Sequence, residues 1–199
     1  MKGCIFMYEN AYKNITLTFP SDLDLFLQLL ADLNKEIELF ALGGTAMILA
    51  NIKESTKDID FLTTQNYEQF RKLLQLAGLK EKNTTQLCNS WYLNNIRIDF
   101  FYNEFILGYS LPDDWKHLSI QLKSIGKIKL YILNWYDIII TKLARSEERD
   151  IIDIQSIFKS QKIDFTILKE RYYKHAPTSL ISNYDLKFKH LESKLGEPQ

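Results

Sequence analysis

Asp58 and Asp60 stand two positions apart in the mostly apolar run Asp58–Leu62 (DIDFL), and Asp99 lies between Ile98 and Phe100 in IRIDFFY. On a strand, residues i and i+2 project from one face, so the first two carboxylates stand together while Ile59 and Phe61 turn to the opposite side. Neighbouring carboxylates repel unless a cation neutralises them. Hard oxygen donors of this kind suit Mg²⁺ or Mn²⁺. A bare DxD pair is equally at home on an exposed edge strand or as a cap for the next helix. Asp99 is the third acid, and its apolar flanks make burial unfavourable unless it is paired or metal-bound. Arg97, on the same strand face, is one available partner. Three acids from neighbouring strands are the donor set of a two-metal centre, in which one ion activates an attacking hydroxyl and the other holds a triphosphate.

Upstream, Gly43-Gly44 ends the apolar run Ile37–Leu42 and opens Thr45–Asn51 (TAMILAN), a stretch of good helix formers. Glycine permits a tight turn and lets backbone N–H groups approach a phosphate at a helix start, and Thr45 adds a hydroxyl there. A glycine pair also often does no more than end a strand. Downstream, Lys142 and Arg145 lie three apart in ITKLAR and share one helix face. They read either as anion ligands or as surface cations lying over apolar neighbours. The residues leave Asp150 open between a partner such as Arg149 and a capping contact.

These groups must be carried by elements, and the periodicity predicts them in order. A helix capped by Ser21 runs to about Glu36 with Leu23, Phe26, Leu27 and Leu30 on one side. The strand at Ile37–Leu42 and the Thr45–Asn51 helix follow, then the DIDFL strand and a helix over Gln65–Ala77. Ser90–Leu93 and Ile96–Tyr102 form a hairpin through Asn94-Asn95, residues that tolerate positive φ. Pro112 and Asp113-Asp114 mark a loop, and Lys127–Leu133 is a further strand. Asn134 caps a helix to about Arg145, and three more helices cover the remainder, with Pro177 between the last two. The fold class is therefore α/β, a small mixed sheet flanked by helices in residues 1–133, followed by a C-terminal helical part in residues 134–199.

The chain has 25 Lys/Arg and 25 Asp/Glu, but residues 1–115 are net −5 and residues 116–145 net +5. Acidic metal ligands facing basic phosphate ligands would produce such a split, as would alternating solvated faces. Cys4 and Cys88 form no metal or redox motif, which predicts a reducing, cytoplasmic setting. No signal peptide or membrane span is expected. His117, His175 and His190 sit at no ligand spacing, and no Ser-His-Asp order, Walker A motif or zinc motif occurs.

GGTA, followed by DID acids beginning fourteen residues after Gly44, and then by Asp99 on a strand, resembles the nucleotidyltransferase superfamily of polymerase-β type. The glycine pair and the later KLAR…RD segment are similar to the AbiEii-type toxins, including the MenT group. The resemblance covers roughly residues 38–155. It implies that Gly43, Gly44 and Thr45 contact nucleotide phosphates, that Ser55, Thr56 and Lys57 lie near the triphosphate, and that Lys142, with Arg145 on the same face, holds it. Asp58 and Asp60 would be metal ligands, and Asp99 the third acid, placed to help deprotonate an acceptor hydroxyl. The implied reaction is Mg²⁺- or Mn²⁺-dependent transfer of a nucleotide from an NTP to RNA, tRNA in particular, by a toxin that an antitoxin protein neutralises. Transfer to a small molecule or a protein is the second expectation, and NTP binding without turnover a third, which the retained acids argue against. Arg171–Lys174 (RYYK) and Tyr184–His190 (YDLKFKH) mix cations with aromatics, as RNA-contacting segments do and as ordinary amphipathic helices also do.

Overall fold

A computed structural model describes residues 17–83 and 88–196. Cys4 lies outside the described residues. Helix α1 (Pro20–Asp32) begins two residues earlier than expected and stops four residues earlier. Pro20 is pre-set for the first helical position. The cap is not Ser21: the Asp22 carboxylate accepts the Phe19 backbone N–H at 2.8 Å. Asn34 takes a left-handed φ of 54°, which ends the helix before Glu36.

Strand β1 (Ile37–Ala41) leads through the glycine pair into α2 (Gly43–Leu49), and β2 (Ile59–Thr63) carries the acids. Helix α3 (Tyr67–Leu76) is capped by Asn66, whose side chain accepts the Gln69 N–H. Strands β3 (Lys80–Asn83), β4 (Cys88–Leu93) and β5 (Ile96–Phe101) follow, the last two joined at Asn94, φ 53°. A small hairpin, β6 (Phe105–Ile106) and β7 (Tyr109–Ser110), precedes the one-turn helix α4 (Trp115–Leu118). Strands β8 (Ile120–Ile125) and β9 (Ile128–Ile132) close the sheet, and helices α5 (Trp135–Arg145), α6 (Glu148–Ser160), α7 (Phe165–His175) and α8 (Tyr184–Leu195) complete the chain.

The main sheet runs β3-β4-β5-β2-β1-β9-β8. Pairs β2–β5 and β1–β9 are parallel and the remaining pairs antiparallel. One face packs Phe61 and Phe100 against Phe26 of α1 and Phe70 of α3, with Phe70 meeting Phe100 edge-on at 4.9 Å. Each such buried ring stabilises by about 1.5–3 kcal/mol. On β1 and β9, Phe40 stacks on Tyr131 and meets Trp115 edge-on. The same core runs on through Leu133, Ile138, Ile139 and Leu143 into Ile154, Leu168 and Phe188, so the C-terminal helices share it with the sheet. No helix among the described residues is long and apolar enough to cross a membrane.

Candidate active site

Register brings the acids together. Asp60 of β2 and Asp99 of β5 are direct partners across a parallel pair, and Asp58 lies two residues before Asp60. Oxygens of all three carboxylates lie within 4.8 Å of one another. Ile59 and Phe61 are buried on the opposite face, as the alternation predicts. Burial, and then Asp58 and Asp99, hold the Asp60 carboxyl well above the ordinary range. Burial first, and Asp99 second, raise Asp58 too. A cation would relieve the mutual repulsion of these carboxylates, and hard oxygen donors of this kind could hold a divalent one.

Asp99 also has the arginine partner expected of it. Arg97 donates from Nε to Oδ1 at 3.0 Å and from Nη2 to Oδ2 at 2.7 Å, and Nη2 reaches Ser90 Oγ at 3.3 Å. The two readings of Asp99 therefore hold together: it is ion-paired and it belongs to the cluster.

The glycine pair is required by close approach. A Cβ on Gly43, whose φ is +56°, would lie 2.7 Å from Asp60 Oδ2. A Cβ on Gly44 would lie 2.1 Å from Thr56 Oγ1. Thr45 has a different place: its hydroxyl accepts the Asp60 backbone N–H at 2.8 Å, and the residue is 1% exposed. Together with the Leu42 N–H to Asp60 carbonyl bond, this fastens the α2 turn to β2. Thr45 does not line the cleft, whereas Gly43, Gly44, Ser55, Thr56 and Lys57 do. Thr56 is held in place by a two-way backbone bridge to Thr18.

The cleft, about 540 Å³, faces the acids with a cationic wall from α5 and α6. Lys142 is 4% exposed, which overturns the surface-cation reading. Its Nζ donates to Asp153 Oδ2 at 2.6 Å, and Lys53 holds the other oxygen of Asp153 at 2.6 Å. Arg145 grips Asp150 through both carboxylate oxygens at 2.8 and 2.6 Å. Burial alone would raise Asp150, but the Arg145 hydrogen bonds and charge hold it below the usual carboxylate range. Asp150 also accepts the Glu147 N–H and so caps α6, and its arginine partner is Arg145 rather than Arg149. Lys53, Arg149 and Asp153 line the cleft without having been singled out in the sequence. The signal for Asp153 was available, because it lies three residues after Asp150 on one helix face.

Burial, and then Asp99, push the Cys88 thiol up to about 12, so it stays protonated beside the acids. None of the three histidines lines the cleft. A larger hollow, about 730 Å³, opens beside Phe158, Phe165 and Leu195, away from the acids; the chemistry selects the smaller cleft.

Part of the aromatic and basic segments near the C-terminus is turned inward. Arg171, with a side chain 10% exposed, bonds Asp137 and Asp114, while Tyr172 and Phe188 are fully buried. Lys187 donates to the Ala144 carbonyl, and Lys189 pairs with Asp185 on its own helix. Of the two readings given for these segments, the amphipathic helix accounts for Arg171, Tyr172, Lys187 and Phe188, while Lys174, Lys189 and His190 are exposed.

No curated protein sequence matches the chain. Among solved structures, it is similar to the solution structure of the antibiotic-resistance factor ANT(2'')-Ia, with 11% identity and a TM-score of 0.60, covering 87% of this chain and 98% of that one. A crystal structure of ANT(2'')-Ia in complex with adenylyl-2''-tobramycin gives 12% identity and a TM-score of 0.54, covering 76% and 96%. JHP933 from Helicobacter pylori gives 16% identity and a TM-score of 0.49, covering 87% and 85%. At these identities the likeness to the two ANT(2'')-Ia structures bears on the fold alone. The family model described as "Nucleotidyltransferase of unknown function (DUF6036)" matches residues 21–197, and the chain belongs to that nucleotidyltransferase family.

Proposed function

We propose that this nucleotidyltransferase moves a nucleotide from an NTP to an acceptor hydroxyl with a divalent cation, Mg²⁺ or Mn²⁺, held by Asp58, Asp60 and Asp99. The observation that carries the reading is the convergence of three carboxylates within 4.8 Å beside the glycine turn. When bound, the cation neutralises the acids and polarises the reacting phosphate. Asp99 takes the proton of the acceptor hydroxyl. The acceptor oxygen bonds to the α-phosphorus, the bond to the α–β bridging oxygen breaks, and pyrophosphate leaves with that electron pair. Lys142 and Arg145, with Lys57, attract the triphosphate; Gly43 and Gly44 leave room for it, and Ser55 and Thr56 offer hydroxyls beside it. Thr45 acts through the backbone of Asp60.

The resemblance to AbiEii- and MenT-type toxins supports RNA, tRNA in particular, as the acceptor, and a toxin held in check by an antitoxin protein in the cytoplasm. A small-molecule hydroxyl is the second reading, favoured by the inward packing of Arg171, Tyr172 and Phe188.

The test supplies α-labelled NTPs with total RNA, protein and small metabolites, with and without Mg²⁺ or Mn²⁺. Metal-dependent label in tRNA-sized material is expected, and label in metabolites instead transfers the conclusion to the second reading. Asp60→Asn should abolish transfer, because it removes one negative ligand while keeping shape. Full activity in that variant refutes the metal assignment. Growth arrest on expression of the wild type but not of Asp60→Asn is the result expected of a toxin.

A further inference from the structure

The sheet does not end at the acids. Beyond β5 it continues as β4 and β3, and on the face that carries Asp99 the register sets out a second group of side chains. Ser90 is the partner of Asp99, Tyr92 of Arg97, and Lys80 of Tyr92. Directly opposed residues of an antiparallel pair share a face. Lys82 falls in the irregular step of β3, and its Nζ lies 5.2 Å from the centre of the Tyr92 ring, which puts it on the same side. The other face is spent on the core: Trp91, Ile98 and Phe100 are buried, and Glu81 bonds Arg71 and Tyr67.

The result is an open platform of Lys80, Lys82, Tyr92 and Arg97 running outward from Asp99. Lys80, Lys82 and Arg97 are exposed and Tyr92 half-buried. The only acids of β3–β5 are Glu81, on the core face, and Asp99 itself. Neither Lys80 nor Lys82 is in an ion pair among the described residues. From β5 to β3 is about 10 Å, two inter-strand spacings.

We infer that this β3–β5 platform is the acceptor surface, taking a single-stranded polynucleotide whose terminal ribose hydroxyl lies at Asp99 and whose following phosphates meet Arg97, Lys80 and Lys82. The inference rests on the transferase reading of the same cleft. Charge complementarity selects the occupant. Exposed Lys80 and Lys82 beside the Tyr92 ring suit a phosphodiester strand, which binds by neutralised phosphates and ring contact, and the Arg97–Asp99 pair lies where that strand would meet the acids. A neutral or cationic small acceptor gains nothing from them. The position matters as much as the charge, because the platform adjoins the acid that receives the acceptor's proton and stands across the acids from the triphosphate wall. The polynucleotide contact moves from the C-terminal helices to the outer wing of the sheet.

The experiment compares the wild type with Lys80→Glu/Lys82→Glu and with a charge-matched control, Lys162→Glu/Lys174→Glu, in the exposed α6–α7 link and on α7. One arm measures the anisotropy of a fluorescein-labelled single-stranded RNA with a free terminal hydroxyl across a salt series. The other measures a fluorescent ATP analogue with Mn²⁺. The platform variant should lose RNA affinity by about tenfold or more, with a log–log salt slope shallower by about 1.4, since each phosphate contact in a single strand contributes about 0.7. It should keep its melting temperature and its nucleotide affinity, and the control should bind RNA as the wild type does. Equal RNA binding by the platform variant, or an equal loss in the control, overturns the assignment. So does a wild type that binds nucleotide but not RNA, or that labels protein or small metabolites; those results leave the transferase site standing. Loss of nucleotide binding in the wild type itself would strike at the site beneath.

Discussion

Gly44 shows how much of the cleft is set by what is not there. A methyl group at this buried position would overlap Thr56 Oγ1 at 2.1 Å and crowd its Cβ at 2.8 Å, while Gly78, in the exposed turn after α3, has open space around it. Gly44→Ala should therefore cost about 1–3 kcal/mol by overpacking, visible as a lower urea midpoint. It should also impair transfer, because Thr56 must shift two residues from Asp58. Lys142 makes the complementary case. Its ammonium is buried between Asp153 and Asp150, so the sequence alternative of a solvated surface cation underestimated how deeply α5 enters the core. Lys142→Ala should weaken NTP binding by about 1.5–3 kcal/mol, the scale of a hydrogen bond to a charged group. Isothermal titration with a non-hydrolysable NTP checks this, and unchanged affinity would leave Lys142 a structural partner of Asp153. At this scale the clustering of the acids and the tight turn at the glycines were legible, because strand alternation and the absence of a Cβ dictate both. Thr45 was misjudged because a hydroxyl beside a glycine turn can equally serve the next strand, and only the fold shows that it does.

Elements that alternate cleanly announced themselves, and those that do not were missed. The β4–β5 hairpin follows from its aromatic and β-branched runs around Asn94, and α5 from the Asn134 cap. Strand β8 gave no signal because it lies at the sheet edge, exposed along most of its length, with its register shifted between Gln121 and Lys123. Strand β3 is short and polar, and the β6–β7 hairpin has two residues a side, too few for a period to show. The α5–α6 junction carries a testable consequence. Asp150 is fully buried and holds Arg145, caps α6, and lies 3.8 Å from Lys142. Asp150→Asn should destabilise by about 1–3 kcal/mol, because it takes a charged partner from the partly exposed Arg145 and from the buried Lys142, which keeps Asp153. Glu147→Gln, whose side chain is 45% exposed, should change stability by about 0.5 kcal/mol or less. A denaturant series with unchanged slope distinguishes the two, and equal stability of both variants would mean that Arg145 finds another partner.

Across the whole molecule, the uneven charge distribution acquires a structural meaning. Acids from the first half and cations from α5 face each other over one cleft, and the Asp137–Arg171–Asp114 chain ties the last helices back to the sheet side. The acid cluster also sets how global stability depends on pH and metal. Asp60 and Asp58 have folded-state pKa values raised above their unfolded ones. Between those values the folded protein holds more protons than the unfolded chain, so stability falls as pH rises. Metal-free protein should accordingly melt at a lower temperature at neutral pH than in the ordinary carboxylate range, until the raised pKa values are passed. A divalent cation that binds only the folded state removes the repulsion and adds about 2.7 kcal/mol at a hundredfold excess over its Kd. For a chain of this length that is roughly 5–11 °C. Asp60→Asn should flatten the pH dependence, melt at or above the wild-type temperature without metal, and lose the metal-induced rise. Calorimetry of both proteins with EDTA and with Mn²⁺ at two pH values reads all three effects. A wild type whose melting temperature ignores both pH and Mn²⁺ would mean that the three carboxylates are not a cation site.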